Sequence, residues 1–204
     1  YLYPKLGQSI VFLSEMEAEK IKARMRTEEL RRWYVMRDLK RFNAKLPAYK
    51  MLDDMKIEFF TPMVRKLLAY KGKRTIREVP FMQDLLFVHD SRKVLDPLVE
   101  KISTFQYRFL RDGYRTPMTV NDADMERFIR AVRSSLHPRF YMPNEVTSEM
   151  IGKAVRIVGG PLDGYEGRLL KLQGSRIKRM FVELPDQLIV AVEVQPEFIQ
   201  LLEG

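Results

Sequence analysis

One stretch near the end of the chain restricts the fold more than any other: Gly152-Lys153-Ala154-Val155-Arg156-Ile157-Val158-Gly159-Gly160-Pro161-Leu162-Asp163-Gly164-Tyr165-Glu166-Gly167. It opens as a short alternating strand and runs into a Gly-Gly-Pro turn. Glycine accepts φ > 0 and lets backbones approach closely, and proline fixes φ at a turn corner. The chain must reverse between Gly160-Pro161 and Gly164, and Gly167 falls inside the next strand. The stretch carries no nucleophile, metal cluster or phosphate-cradling loop, so it reads as part of a binding module.

Strands are expected to follow this turn at residues 167–172, 177–184 and 188–194, with a first strand at 154–158. Met180, Val182 and Leu184 share one face, as do Leu170 and Leu172 on the preceding strand. Short strands at close, regular spacing predict a small barrel over residues 152–204. Residues 136–151 contain Pro138 and Pro143 and no period, and read as an extended linker.

Upstream, residues 33–135 interleave strands and helices. Trp33-Tyr34-Val35-Met36 is aromatic and β-branched and predicts a strand. Ala48, Met51, Leu52 and Met55 predict a helix with Pro47 in its first turn. Residues 57–64 are strand-like, and Pro62 makes that strand an edge or bends it. Leu85-Leu86-Phe87-Val88 is a short apolar strand, with Leu85 and Phe87 on one face and Leu86 and Val88 on the other. Val94, Leu95, Leu98, Val99 and Ile102 predict a helix that starts late or kinks at Pro97. Phe105, Tyr107 and Phe109 alternate as a strand. Asn121 or Asp122 caps a helix over 121–133 whose Met125, Phe128, Ile129 and Val132 face inward. Residues 1–32 form an extension, with a lysine- and arginine-rich amphipathic helix expected at 14–32 behind a Ser14/Glu17 capping box. The expected fold class is α+β.

Composition narrows the chemistry. The 204 residues carry a net charge of +9, which favours polyanions or an acidic protein surface. Cysteine is absent, which removes disulfides and thiolate ligands. His89 and His137 lack ligand spacing, so no metal or cofactor is expected. No apolar run approaches the ~20 residues that span a bilayer, so no membrane partner is expected. Asp122, Asp124 and Glu126 suit the positive end of a helix dipole better than acid–base work. Ser134, Ser135 and His137 are close in sequence, which does not make a triad. The residues do not point to an enzyme.

Taken together these residues resemble the NusG family. Residues 152–178, with Gly160, Pro161, Gly164 and Gly167 at the core, are similar to a KOW motif. Trp33-Tyr34-Val35 resembles the opening strand of the NusG N-terminal (NGN) domain. Lys71-Gly72-Lys73-Arg74-Thr75 and the run from Pro80 to Val88 resemble that domain's basic hairpin, turn and apolar strand. The resemblance implies an RNP-like α/β sandwich (NGN-like) over 33–135, followed by a small SH3-like β-barrel (KOW) over 152–204. It also implies a cytoplasmic transcription elongation or antitermination factor, of the specialised RfaH-like or UpxY type given its divergent extension. One departure stands out: the family's Phe-Pro-Gly-Tyr turn is here Met82-Gln83-Asp84-Leu85.

By the same resemblance, Met82, Leu85 and Phe87, with Phe81 and Phe60 beside them, would dock on the RNA polymerase clamp. Lys71, Lys73, Arg74 and Arg77, with Arg65 and Lys66, would lie near nucleic acid of the transcription bubble. The KOW domain would recruit a termination factor or a ribosomal protein. A second basic cluster comprises Arg168, Lys171, Arg176, Lys178 and Arg179, with Tyr165 and Phe181 as the nearby rings that a base would stack on. The alternative function is a ribosome-associated or RNA-binding KOW protein. Valines at 190, 192 and 194 favour strand over helix in the last segment.

Overall fold

The computed structural model describes residues 30–40, 46–70, 72–171 and 174–202. The expected N-terminal helix and Lys71 lie outside the described residues, except that Arg32 opens a strand rather than closing a helix.

The first sheet is antiparallel, in the order β2 (Glu58–Phe60), β5 (Leu86–Asp90), β1 (Arg32–Asp38) and β6 (Phe105–Tyr107). The short β7 (Thr119–Val120) pairs with the start of β1. Strand alternation sends Tyr34, Met36, Leu86 and Val88 to one face, where α1 (Ala48–Asp54) and α2 (Arg92–Lys101) cover them. Asp38, at the end of β1, caps α1: its Oδ2 accepts the amide of Ala48 at 2.6 Å. Pro47 therefore precedes α1 instead of lying in its first turn. α2 begins at Arg92 and runs through Pro97, earlier than expected. Its Arg92–Asp96 ion pair and buried Leu95 offset the one ladder bond that proline removes.

The opposite face carries Trp33, Val35, Leu85 and Phe87 against α3 (Asp122–Ser134) through Met125, Phe128 and Ala131. Asn121 caps α3 by accepting the Ala123 amide at 2.9 Å.

The second sheet has six antiparallel strands in the order β13 (Ile199–Leu201), β9 (Ile151–Ile157), β10 (Glu166–Leu170), β11 (Arg179–Leu184), β12 (Leu188–Glu193) and β8 (Arg139–Tyr141). The last segment is therefore strand, as its valines predict. The sheet path is open, so the expected barrel is not closed by hydrogen bonding among the described residues. The presumed linker contributes β8, which occupies the edge of β12. The rest of that crossing, Val146, Met150 and Ile151, packs on the outer face of the sheet with Leu170, Phe181 and Ile189.

One apolar cluster links the two sheets. Met180, Val182, Leu184, Val190 and Val192 join Met125, Phe128 and Phe87 in it. α3 touches β1 on one side and β11 and β12 on the other, so it is packed between the sheets.

The hairpin β3 (Met63–Tyr70) and β4 (Lys73–Pro80) forms a separate two-stranded ribbon. Proline at 62 breaks the expected continuous strand into β2 and β3.

Candidate polymerase and nucleic-acid interfaces

The turn over residues 81–84 has no proline or glycine, and side chains hold it. Arg108 donates to the Asp84 carbonyl and to its Oδ2, each at 3.0 Å. Arg37 adds a longer ion pair to the same carboxylate at 3.6 Å. Gln83 donates to the carbonyl of Lys40. Charge-assisted bonds of this kind fix a loop without a special φ/ψ residue.

The five apolar candidates around this turn separate into two groups. Leu85 and Phe87 are 2% and 0% exposed, which corrects their assignment to an open docking face. Their alternation is as expected, but α3 and the second sheet fill the side they face. Phe60, Phe81 and Met82 are half-buried at the rim of that cluster. Phe60 stands edge-on to Phe128 at 6.1 Å and tilted over Phe87 at 6.3 Å. Phe81 lies 5.6 Å from the ring of Phe140 on β8.

The hairpin is exposed along most of its length. Lys73, Arg74 and Arg77 lie on β4. Lys66 sits directly across from Arg77, whereas Arg65 faces Glu78. Like charges opposite each other destabilise a strand pair. A ribbon that keeps such a pair is suited to an anion. Leu67 and Ile76, also directly opposed, are 62% and 61% exposed on its other face.

The glycine turn is built on close contacts. Gly159 and Gly160 take φ of 100° and 71°, and Gly164 takes 77°. The Gly159 amide donates to Asp163 Oδ1 at 2.6 Å, and Gly164 donates to the Ile157 carbonyl at 2.8 Å. A Cβ on Gly160 would stand 3.0 Å from the ring of Phe198. Pro161 is the second residue of the single helical turn Gly160–Leu162, which buries Leu162. Gly167 has ordinary φ, but a Cβ there would stand 2.5 Å from the Phe181 carbonyl across the strand pair.

α3 grips this turn. Tyr165 Oη donates to the Arg127 carbonyl at 2.9 Å, and the Arg127 guanidinium lies 5.1 Å from the Tyr165 ring centre. Arg127 also donates to the Glu166 carbonyl at 2.7 Å. Burial pushes the Tyr165 phenol pKa up. Tyr165 and Phe181 are buried at 7% and 9% exposure, so neither is a platform for a base. Arg168, Lys171, Arg176 and Lys178 are exposed. Arg179 is buried and paired with Glu193 at 2.9 Å. Sequence reasoning did not find the gripping role of Arg127, because its partners lie 38 and 39 residues away.

Ser134 donates to the Ala131 carbonyl, and Ser135 Oγ accepts the amide of Glu193. Neither is engaged with His137. Among the described residues no group of three or more histidine or acidic side chains is arranged to hold a metal. No described helix is long and apolar enough to cross a membrane.

No curated protein sequence matches the chain. Among solved structures it is similar to NusG of Thermotoga maritima, in a structure described as "Domain interaction in Thermotoga maritima NusG". The identity is 14%, the match covers 85% of this chain and 98% of that one, and the TM-score is 0.45. The model of the NusG family, "Transcription termination factor nusG", matches residues 31–129. That segment builds the first sheet, both helices on its outer face, the hairpin and most of α3. Residues 31–129 are thus similar to the NusG family, over just under half of the chain.

Proposed function

We propose that this chain is a non-enzymatic, cytoplasmic transcription elongation or antitermination factor that docks on RNA polymerase through its first domain. The observation that carries this reading is the family match over residues 31–129. The docking strip is taken as Phe60, Phe81 and Met82, the half-buried members of the set. Apolar groups rimmed by charge suit a protein interface, and methionine adapts well to a partner's groove. The hairpin residues Lys73, Arg74 and Arg77 would meet nucleic-acid phosphates nearby, in a salt-sensitive manner.

We take residues 33–135 as the NGN-like domain, 136–151 as the connection and 152–204 as a KOW module of SH3-like type that recruits a termination factor or ribosomal protein.

Binding of the full chain to core polymerase tests the docking reading. Met82→Asp should weaken it at least about tenfold, since a buried unpaired charge costs more than the 1.4 kcal/mol per decade of affinity. A variant with an unchanged circular dichroism spectrum and wild-type polymerase affinity would remove this strip from consideration.

A further inference from the structure

A track of positive charge runs across the boundary between the two sheets, away from the hairpin tip. Its first part is a cleft of about 510 Å³ between the root of the hairpin, the crossing at residues 135–139 and the edge of the second sheet. Its second part is a cleft of about 380 Å³ beside the loop that leads into β11. Ile177 lines both, so the two adjoin at that side chain. We infer that this composite cleft binds a single-stranded nucleic acid, RNA or DNA, by its phosphates.

Charge is the first argument. Arg65, Arg139 and Arg179 line the first part, and Lys153, Lys171 and Lys178 line the second. The acidic residues lining them are Glu78 and Glu193. Glu193 is taken up by Arg179, and Glu78 stands opposite Arg65 in the hairpin ladder. Arg139, Lys153, Lys171 and Lys178 are exposed and have no ion-pair partner among the described residues. A groove with a surplus of one sign concentrates the opposite ion.

The second argument is Arg179. Its side chain is only 5% exposed, and its Nε has no hydrogen-bond partner. Buried donors are nearly always satisfied, so this one calls for an acceptor. Arg179 lines the cleft, so a phosphate there would lie beside a guanidinium with one donor still unpaired.

The third argument selects a single strand. Leu136 and Ile177 line the first part at 84% and 52% exposure. A duplex presents phosphates and stacked bases to such a surface, whereas a single strand also offers sugar and unstacked base faces. Among the described residues no phenylalanine, tyrosine or tryptophan lines either part. Binding is therefore sequence-tolerant and dominated by salt-sensitive phosphate contacts. Because the walls come from the hairpin, the crossing and the second sheet together, neither half of the chain provides the cleft alone. The inference goes beyond polymerase docking and does not depend on it.

Fluorescence anisotropy with the full chain tests it, using labelled RNA, single-stranded DNA and the matching DNA duplex of about 12 nucleotides. Wild-type protein should bind at least one single strand more tightly than the duplex, and the RNA and DNA arms identify which. The triple variant Arg139→Ala/Lys153→Ala/Lys178→Ala changes only exposed side chains. It should bind at least about tenfold more weakly at low salt and lower the salt slope by about 2. Lys50→Ala, an exposed charge on α1 that lines neither cleft, should stay within about twofold of wild type in the same assay. A triple variant that binds as wild type does would overturn the assignment, as would a duplex bound as tightly as the single strands. Absence of any single-strand binding at low salt would overturn it too. Polymerase affinity of the triple variant is read separately, so loss of one activity is distinguishable from loss of the other.

Discussion

Phe81 and Phe140 hold their ring centres 5.6 Å apart at an interplanar angle of 40°. The first belongs to the turn that precedes β5, and the second to β8, which pairs with the second sheet. The pair thus fastens the rim of one sheet to the edge strand of the other. Phe140→Ala should destabilise the chain by about 3 kcal/mol. A double-mutant cycle with Phe81→Ala should return a coupling of about 1 kcal/mol. Urea denaturation of the four proteins measures both. Strictly additive losses would mean that the rings do not support one another.

Arg108 holds a turn that has no proline or glycine by bonding Asp84 twice. Its Nε is buried without a partner, so the residue is already incompletely satisfied. Asp84→Ala leaves the guanidinium without its counter-charge and should cost about 2–3 kcal/mol. Gln83→Ala, which removes an exposed neutral-donor contact to the Lys40 carbonyl, should cost about 1 kcal/mol or less. Reversal of that order in chemical denaturation would show that charge does not hold the turn.

The glycines of the reversal differ in why they are required. Gly164→Ala meets open space and suffers only its positive φ, a cost of about 1 kcal/mol. Gly160→Ala adds a contact with the Phe198 ring, which must shift. Gly167→Ala meets backbone, the Phe181 carbonyl, which cannot turn away. Melting temperatures should therefore fall in the order Gly164, Gly160, Gly167, with the last variant the least stable.

Burial and the bond to Asp96 push the Tyr107 phenol pKa well above its ordinary value, and burial raises Tyr34 and Tyr165 as well. A raised pKa means that the folded state favours the protonated phenol. This stabilising contribution is fully present below the unfolded value near 10 and is lost as pH rises beyond it. Each such group should remove up to about 1.4 kcal/mol per pH unit above 10. Tyr107→Phe should be less stable at neutral pH, having lost the 2.8 Å bond to Asp96, and its stability should decline less steeply in alkali. Denaturation midpoints between neutral pH and alkali check this.

Local pattern carried much of the fold. The alternation at Leu85 to Val88 divided correctly into two faces, and Asn121 was recognisable as a helix cap. What covers a face is not local. Leu85 and Phe87 could be assigned to a partner or to the interior only by knowing that α3 and the second sheet lie over them. β8 escaped because three residues between Pro138 and Pro143 cannot display a period, and prolines read as a linker. Pro97 does not delay α2, because tertiary packing of that helix outweighs the loss of one ladder bond. The basic track was legible only in pieces: Lys171, Lys178 and Arg179 stand together in the sequence, but Arg65 and Arg139 join them only through the packing of the sheets.

The seat of β8 on β12 governs how this protein can be cut into pieces. A fragment starting at Gly152 would bare the β12 backbone along Ile189, Val190 and Ala191, which Tyr141, Phe140 and Arg139 normally satisfy. An open edge with side chains this apolar is a template for pairing with other chains, and such a fragment would aggregate. A fragment that keeps Arg139–Tyr141 carries its own edge protection. The segment that looks like a tether is, for the second sheet, the strand that keeps it soluble.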